Sequence, residues 1–172
     1  MNRERARRPS PTAGAGGHGS GRPRVPPRGW GRRQPRGRDG RQAWVLLIDD
    51  DAALRTLLVL ALGQAGYPAV AVPDGQAALE LLAQQGGDQP DVILLDLHMP
   101  VLDGWGFAAG YRMLPTPQGQ RAPIVVVSAN ADAEEAAARL GAVDVLVKPF
   151  DLEELLARVA RYTDRATHSR AA

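Results

Sequence analysis

Short apolar runs lie along this chain, separated by stretches whose apolar residues recur at helical spacing. A continuous apolar run of about four to eight residues, bounded by turn-forming residues, is typical of a strand buried on both faces. A run with strict alternation would instead indicate a strand with one solvent-exposed face. The pattern predicts five strands, at residues 44–48, 68–72, 91–95, 123–127 and 143–147.

The stretches between the strands carry helical signals. Residues 54–62 and 77–82 place apolar side chains at i, i+3 and i+4, and Asp74 precedes the second stretch as a helix cap. Residues 131–140 form an Ala-rich helix that stops at Gly141. Asp151 caps a last helix with four predicted inward-facing side chains, Leu152, Leu155, Leu156 and Val159.

One stretch, residues 103–114, is ambiguous. Gly104, Gly106 and Gly110 each weaken a helix by about 1 kcal/mol relative to Ala. The apolar residues of the stretch nevertheless keep the helical period. Asp103 and Gly104 are interpreted as a cap and a turn rather than as ligands.

Strands that alternate with helices predict an α/β fold with a parallel sheet covered on both faces. Right-handed crossovers leave few topologies for such a chain. We expect a doubly wound, flavodoxin-like domain with five strands in the order 2-1-3-4-5.

Charge divides the chain at about residue 42. Residues 1–42 hold 12 arginines and two acids, a net charge of +10, whereas residues 43–172 hold nine basic residues and 17 acids, a net charge of −8. The first segment is rich in Arg, Gly and Pro and cannot bury enough apolar surface to order itself. The predicted organisation is a disordered tail at 1–42, a domain at 43–163 and a polar tail at 164–172.

Two interpretations of the N-terminal tail remain open. Its arginines could bind nucleic acid by neutralising phosphates, with Trp30 as a stacking contact. The tail could equally be a solvated extension without function, or a stretch translated from a start codon assigned too early.

The chain has no cysteine, so disulfides and thiolate–metal sites are excluded. The sequence contains neither an apolar run of membrane-spanning length nor a secretory signal, and we expect a cytoplasmic protein without membrane contact.

Polar residues stand where the predicted strands end. Strand 1 runs into two aspartates and strands 3, 4 and 5 each run into one polar residue, giving the set Asp49, Asp50, Asp96, Ser128 and Lys148. In a parallel sheet these ends share one edge, and strands 1 and 3 flank the switch point where ligands bind. Asp96 taken alone could be a turn cap. Together the residues predict a site.

The predicted site suits phosphoryl transfer. Converging carboxylates repel one another, and a bound cation would relieve this repulsion. Mg²⁺ fits, because it binds one or two carboxylates and also binds a phosphate. An ammonium and a hydroxyl, from Lys148 and Ser128, suit the oxygens of a phosphoryl group. The chemistry that follows is attack by the Asp96 carboxylate on phosphorus, which forms an aspartyl phosphate.

Four stretches carry a resemblance to a known family. They are LIDDD at 47–51, LLDLHMPVLDG at 94–104, VVSA at 126–129 and VKPF at 147–150. In this order and at strand ends, they resemble the receiver domain of two-component response regulators, a chemotaxis-type fold. The resemblance covers about residues 44–163.

The resemblance implies a role for each residue of the metal site. Asp96 is the implied phosphoacceptor, Asp50 binds Mg²⁺ directly and Asp49 helps to hold the ion. The backbone carbonyl of His98 is implied as a further ligand. The imidazole of His98 either gates water near the acyl phosphate or is a plain exposed side chain.

The resemblance also implies how the phosphoryl group is bound and sensed. Lys148 pairs with the group, and Ser128 bonds one of its oxygens and moves with it. The bond between Lys148 and Pro149 is implied to be cis. Two departures concern the switch. Val145 stands where family members often carry an aromatic residue, and the stretch from Ser128 to Lys148 is about two residues short, so helix 4 is expected to be trimmed.

The resulting expectation is a stand-alone, single-domain response regulator. It would take a phosphoryl group from a histidine kinase or a histidine phosphotransfer protein and signal to a downstream protein by contact. It would be no enzyme beyond its self-catalysed phosphotransfer and dephosphorylation. One alternative is a nucleic-acid-associated regulator that acts through residues 1–42. A second is a phosphatase of the haloacid dehalogenase type, but these use Asp-x-Asp after the first strand, whereas Asp96 follows strand 3 and His98 stands two residues on.

Overall fold

A computed structural model of the chain describes residues 41–85, 88–116, 121–130 and 132–163. The five strands are β1 (Val45–Ile48), β2 (Ala69–Val72), β3 (Val92–Asp96), β4 (Ile124–Ser128) and β5 (Asp144–Val147). The five helices are α1 (Ala52–Gln64), α2 (Gly75–Gln84), α3 (Gly104–Met113), α4 (Ala133–Leu140) and α5 (Leu152–Thr163). The elements alternate along the chain as the hydrophobic pattern predicted.

The strands form one parallel sheet in the order β2-β1-β3-β4-β5, which confirms the predicted doubly wound fold. Both faces of the sheet are covered. Residues such as Leu46 and Ile93 pack with α2, α3 and α4, whereas their neighbours Leu47 and Val92 pack with α1 and α5. Because successive side chains of a strand point to opposite faces, both kinds of position must be apolar. The strands are therefore continuous apolar runs in the sequence because both faces of the sheet are covered by helices.

The ambiguous stretch at 103–114 contains a helix, α3. Asp103 caps it by accepting a hydrogen bond from the Gly106 N–H over 2.8 Å. Phe107 and Tyr111 are buried one turn apart, and their rings stack with centroids 5.6 Å apart. This apolar contact stabilises a helix that the glycines weaken. The expected turn residue Gly104 is the first residue of the helix.

Two expectations about helices need correction, at Leu152 and at the start of α4. Leu152 is 44 % exposed rather than inward-facing, because α5 turns only Leu155 and Val159 of the predicted set fully into the core. Leu57, which falls on the apolar period of α1, is 61 % exposed. Helix α4 begins at Ala133 rather than at 131, and residue 131 itself lies outside the described residues.

Arg41, which the sequence analysis placed in the N-terminal tail, contacts the domain. Arg41 forms ion pairs with Asp88 at 3.1 Å and with the buried Asp91 at 3.4 Å. Asp91 also accepts a hydrogen bond from the Trp44 N–H, so Arg41 joins the network that anchors β1. Residues 1–40 and the tail at 164–172 lie outside the described residues. Gly86 and Gly87, which the sequence predicts as the end of the second helix, also lie outside them. Within the described part of the chain, no helix is long and apolar enough to cross a membrane.

Candidate functional site

Three carboxylates converge where β1 and β3 end. Ile48 is level with Leu95 in the sheet register, so Asp49 and Asp96 follow side by side. Asp49, Asp50 and Asp96 each offer an oxygen atom, and these atoms lie within 4.8 Å of one another. Asp49 and Asp96 are buried, whereas Asp50 is exposed. The adjacency of β1 and β3 that creates this cluster marks the switch point of the sheet.

Lys148 bridges the two buried carboxylates. Its Nζ lies 2.7 Å from Oδ2 of Asp49 and 2.7 Å from Oδ2 of Asp96. Burial alone would lower the pKa of the Lys148 ammonium, but its hydrogen bonds to Asp49 and Asp96 outweigh burial and raise the pKa above its usual value. The lysine is therefore charged at neutral pH and neutralises part of the cluster.

Backbone N–H groups hold the other oxygen of each buried carboxylate. Oδ1 of Asp49 accepts a hydrogen bond from the Asp51 N–H over 2.8 Å. Oδ1 of Asp96 accepts one from the His98 N–H over 2.9 Å. Two charge-assisted contacts thus fix each carboxylate in a single orientation.

The loop between β1 and α1 is fixed by three further hydrogen bonds. Asp51 caps α1 by accepting hydrogen bonds from the N–H groups of Ala53 and Leu54. The Leu54 and Ala53 N–H groups lower the pKa of the Asp51 carboxyl. The guanidinium of Arg55 donates a hydrogen bond to the backbone carbonyl of Asp49 over 2.7 Å. Sequence reasoning missed Arg55, although its place one helical turn after the cap was a usable signal.

Ser128 lies one residue beyond Asp96 in register, since Asp96 pairs with Val127. The serine is buried, and its Oγ accepts a hydrogen bond from the Asn130 N–H over 3.2 Å. Its backbone carbonyl accepts a hydrogen bond from the Lys148 N–H. The peptide bond between Lys148 and Pro149 is cis, as the resemblance implied. The structure thus brings the hydroxyl and the ammonium to the same edge as the carboxylates.

A second polar pair lies at the rim of the site. The imidazole Nε2 of His98 is 3.4 Å from Nδ2 of Asn130, which joins the loops after β3 and β4. Both residues are exposed. No pattern in the sequence distinguishes Asn130, because an exposed Asn in a loop follows no hydrophobic period.

Val145, the predicted departure from an aromatic residue, lies in β5 and packs against the cluster that includes α4. Helix α4 has eight residues and no side-chain cap. A valine fills less space than an aromatic ring and has one side-chain torsion. The position therefore lacks the aromatic ring that the resemblance would place there.

The fold and the site together define a class of protein, the doubly wound α/β domains with an acidic cluster at the sheet's switch point. The chain belongs to the response regulator receiver domain family, whose profile matches residues 45–160. That match covers nearly all of the described domain.

Curated relatives and solved structures agree with this family. The response regulator MprA of Mycolicibacterium vanbaalenii is 41 % identical over 125 residues, which are 72 % of this chain and 51 % of that protein. The probable transcriptional regulator ycf27 of Guillardia theta is 38 % identical over 130 residues, which are 73 % of this chain and 48 % of that protein. The chain thus spans about half the length of these relatives.

Two solved structures illustrate the similarity in fold. The receiver domain of the sensor histidine kinase PA1611 from Pseudomonas aeruginosa has a TM-score of 0.61 at 31 % identity, covering 70 % of this chain and 97 % of that one. A magnesium ion is coordinated in its active-site cleft. The chemotaxis protein CheY4 of Vibrio cholerae has a TM-score of 0.57 at 29 % identity, covering 70 % of this chain and 98 % of that one.

Proposed function

We propose that this protein accepts a phosphoryl group on Asp96 and acts as a response regulator. The observation that carries the proposal is the position of Lys148, which holds the buried Asp49 and Asp96 carboxylates together beside the exposed Asp50. A buried carboxylate in a fixed orientation, paired with the ammonium of a lysine, suits an acceptor whose product is a dianion. A lysine can follow the phosphoryl oxygens because its ammonium is a point charge on a flexible chain.

In the proposed phosphoryl transfer, a P–N bond of the donor is replaced by a P–O bond to Asp96. An oxygen of the Asp96 carboxylate attacks phosphorus, and the P–N bond of a phosphohistidine donor breaks as the new P–O bond forms. The donor imidazole keeps the electron pair of the broken bond and takes up a proton. Lys148 then pairs with a phosphoryl oxygen, and the hydroxyl of Ser128 donates a hydrogen bond to another. Hydrolysis of the acyl phosphate returns Asp96 to its starting state, so the protein catalyses only its own modification.

The carboxylate cluster fits Mg²⁺. This ion prefers oxygen ligands and is usually held by one or two carboxylates together with waters and substrate phosphates. Asp50, whose exposed carboxylate faces the buried pair, Asp96 and the backbone carbonyl of His98 would hold the ion, with Asp49 in support. When bound, the ion neutralises charge on the nucleophile and on the phosphoryl oxygens. The PA1611 receiver domain, with magnesium in its cleft, supports this assignment.

The partners proposed are a sensor histidine kinase or a histidine phosphotransfer protein as donor, and a downstream protein as target. Leu57 and Leu60 of α1 are each 61 % exposed and lie within three turns of the Asp51 cap. They offer a donor an apolar surface on the helix that follows Asp49 and Asp50. Such a protein would work in the cytoplasm, where phosphohistidine donors of this kind act. The similarity to transcriptional regulators allows a DNA-directed output in a longer protein.

A second candidate function is association with nucleic acid through residues 1–42. The observation that favours it is the charge division, +10 in that segment against −8 in the remainder. Retention of the protein on DNA and RNA columns at low salt, with and without residues 1–42, tests the idea. Equal retention of the two forms would end it.

Intact mass after incubation with acetyl phosphate and Mg²⁺ tests the main proposal. We expect the wild type to gain one phosphoryl group and Asp96→Ala to gain none. Asp74→Ala is the matched control, because Asp74 is another aspartate that caps a helix but lies outside the cluster. A phosphoryl group that persists in Asp96→Ala would refute the assignment.

A further inference from the structure

Gly104, the first residue of α3, lies against the backbone of the proposed phosphoacceptor. A Cβ atom at this position would be 2.6 Å from the carbonyl oxygen of Asp96 and 2.9 Å from Cα of Leu97. The Gly104 N–H donates a hydrogen bond to the Leu97 carbonyl over 3.1 Å. Positive φ values among the described glycines occur at other positions, so Gly104 is required for space and not for its backbone conformation.

The atoms that oppose Gly104 cannot move aside by changing a rotamer, because the nearest two belong to the main chain. Gly110, six residues further along α3, differs in this respect. A Cβ there would meet Cδ1 of Leu79 at 2.6 Å, the far end of a flexible side chain. The same added methyl group therefore strains a movable side chain at Gly110 and the acceptor's own backbone at Gly104.

The loop from β3 to α3 transmits this constraint to the site. It runs from Leu97 to Asp103, and the hydrogen bond from the Gly104 N–H to the Leu97 carbonyl closes it. A displaced Leu97 peptide shifts the Asp96 carbonyl on one side and His98 on the other. The N–H of His98 is the group that orients Oδ1 of Asp96. Movement of the loop therefore changes both the acceptor carboxylate and the neighbouring carbonyl proposed as a metal ligand.

We propose that Gly104 is a positioning residue, which lets the start of α3 abut the Asp96–Leu97 peptide and thereby sets the acceptor geometry. This inference rests on the proposed function of Asp96. Displacements of about 1 Å in a reacting geometry can cost about 100-fold in rate. Gly104→Ala is therefore expected to slow phosphorylation by about 10-fold to 100-fold, whereas Gly110→Ala leaves the rate within about threefold of the parent.

The test compares Gly104→Ala with Gly110→Ala in a stabilised parent that carries Gly63→Ala. A Cβ at Gly63 meets nothing within 4 Å, and Ala in a helix is more stable than Gly by up to about 1 kcal/mol. Both variants are assayed below their unfolding transitions, for the rate of phosphorylation by acetyl phosphate and, without phosphodonor, for Mg²⁺ affinity by calorimetry. A purely structural role would lower the midpoint of unfolding but leave both readouts of the folded protein unchanged.

A slower rate and weaker Mg²⁺ binding in Gly104→Ala, but not in Gly110→Ala, support the proposal. Equal values in the two variants overturn it. A Gly104→Ala protein that stays unfolded while Gly110→Ala folds also overturns it, since Gly104 would then serve folding alone. If the parent itself gains no phosphoryl group, the proposed function of Asp96 has failed, an outcome distinct from a failure of the Gly104 inference.

Discussion

The ammonium of Lys148 reaches Asp96 across an intervening strand. Lys148 follows β5, Asp96 ends β3, and β4 lies between them, yet Nζ and Oδ2 are 2.7 Å apart. Neighbouring strands are about 4.8 Å apart, so the side chain must span roughly two strand spacings minus the reach of the aspartate. A long, unbranched, cationic side chain satisfies this geometry.

Replacement of Lys148 by Met is expected to destabilise the metal-free protein at neutral pH. Removing one partner of a buried ion pair costs about 3–5 kcal/mol, and we expect about 2–4 kcal/mol because the lysine side chain is 22 % exposed. Mg²⁺ should stabilise Lys148→Met more than the wild type, since the ion then supplies the missing positive charge. Urea unfolding with and without Mg²⁺ measures both effects. Equal stabilities of the two proteins without Mg²⁺ would contradict the prediction.

Asp50 is expected to contribute to Mg²⁺ binding alone, whereas Asp49 is expected to contribute to the stability of the fold as well. Asp50 is exposed, so Asp50→Asn should leave the unfolding midpoint nearly unchanged and weaken Mg²⁺ binding by more than about tenfold, or about 1.4 kcal/mol. Asp49 accepts hydrogen bonds from Lys148 and from the Asp51 N–H, so Asp49→Asn should lower stability as well. Calorimetric titration and thermal unfolding separate the two. A stable Asp49→Asn protein with unchanged Mg²⁺ affinity would show that the buried carboxylate has neither role.

The site residues that follow strands were accessible from the sequence, because parallel topology places every carboxyl end at one edge. Ile48, Leu95, Val127 and Val147 end apolar runs, and the next polar residue in each case enters the site or its rim. Contacts that depend on side-chain conformation were not accessible. The bond from Arg55 to the Asp49 carbonyl and the proximity of His98 to Asn130 follow no sequence period.

The hydrophobic pattern of the helices also does not predict which apolar side chains are exposed. Leu57, Leu60 and Leu152 belong to helices with apolar faces, yet each is more than two-fifths exposed. Periodicity identifies which side chains share a face of a helix, but the width of the buried stripe depends on the neighbouring elements. Helix α1 packs near β2, the edge of the sheet, where no further strand extends the surface that a helix could cover.

Protonation of Asp51 is expected to remove its contribution to capping α1 in acid. Hydrogen bonds from the Leu54 and Ala53 N–H groups lower the pKa of this carboxyl from its ordinary value of 3.8 in the folded protein. A group whose pKa falls on folding stabilises the protein above its unfolded-state value, and this stabilisation is lost as the pH falls through the lower, folded-state pKa. The difference in unfolding midpoint between the wild type and Asp51→Ala should therefore narrow below pH 3.8.

Asp51→Ser provides the control for this pH dependence. Serine is a comparable N-cap but carries no carboxyl group. The difference between Asp51→Ser and Asp51→Ala should stay constant over the same range of pH. A wild-type difference that is equally constant would show that the charge of Asp51 does not contribute to the cap.

Ser128 is expected to couple the phosphoryl group to the loop after β4, in place of a rotating aromatic at Val145. In the unphosphorylated protein its Oγ is engaged by the Asn130 N–H at 3.2 Å. A hydroxyl that turns to bond a phosphoryl oxygen would release that N–H, which then exchanges faster with solvent. Phosphorylation should therefore accelerate amide exchange at Asn130 in the wild type and in Ser128→Thr, but not in Ser128→Ala, whose Asn130 N–H lacks this acceptor from the start. Amide exchange followed by NMR, with and without acetyl phosphate, measures the effect, and a phosphorylation-dependent change that persists in Ser128→Ala would place the coupling on another residue.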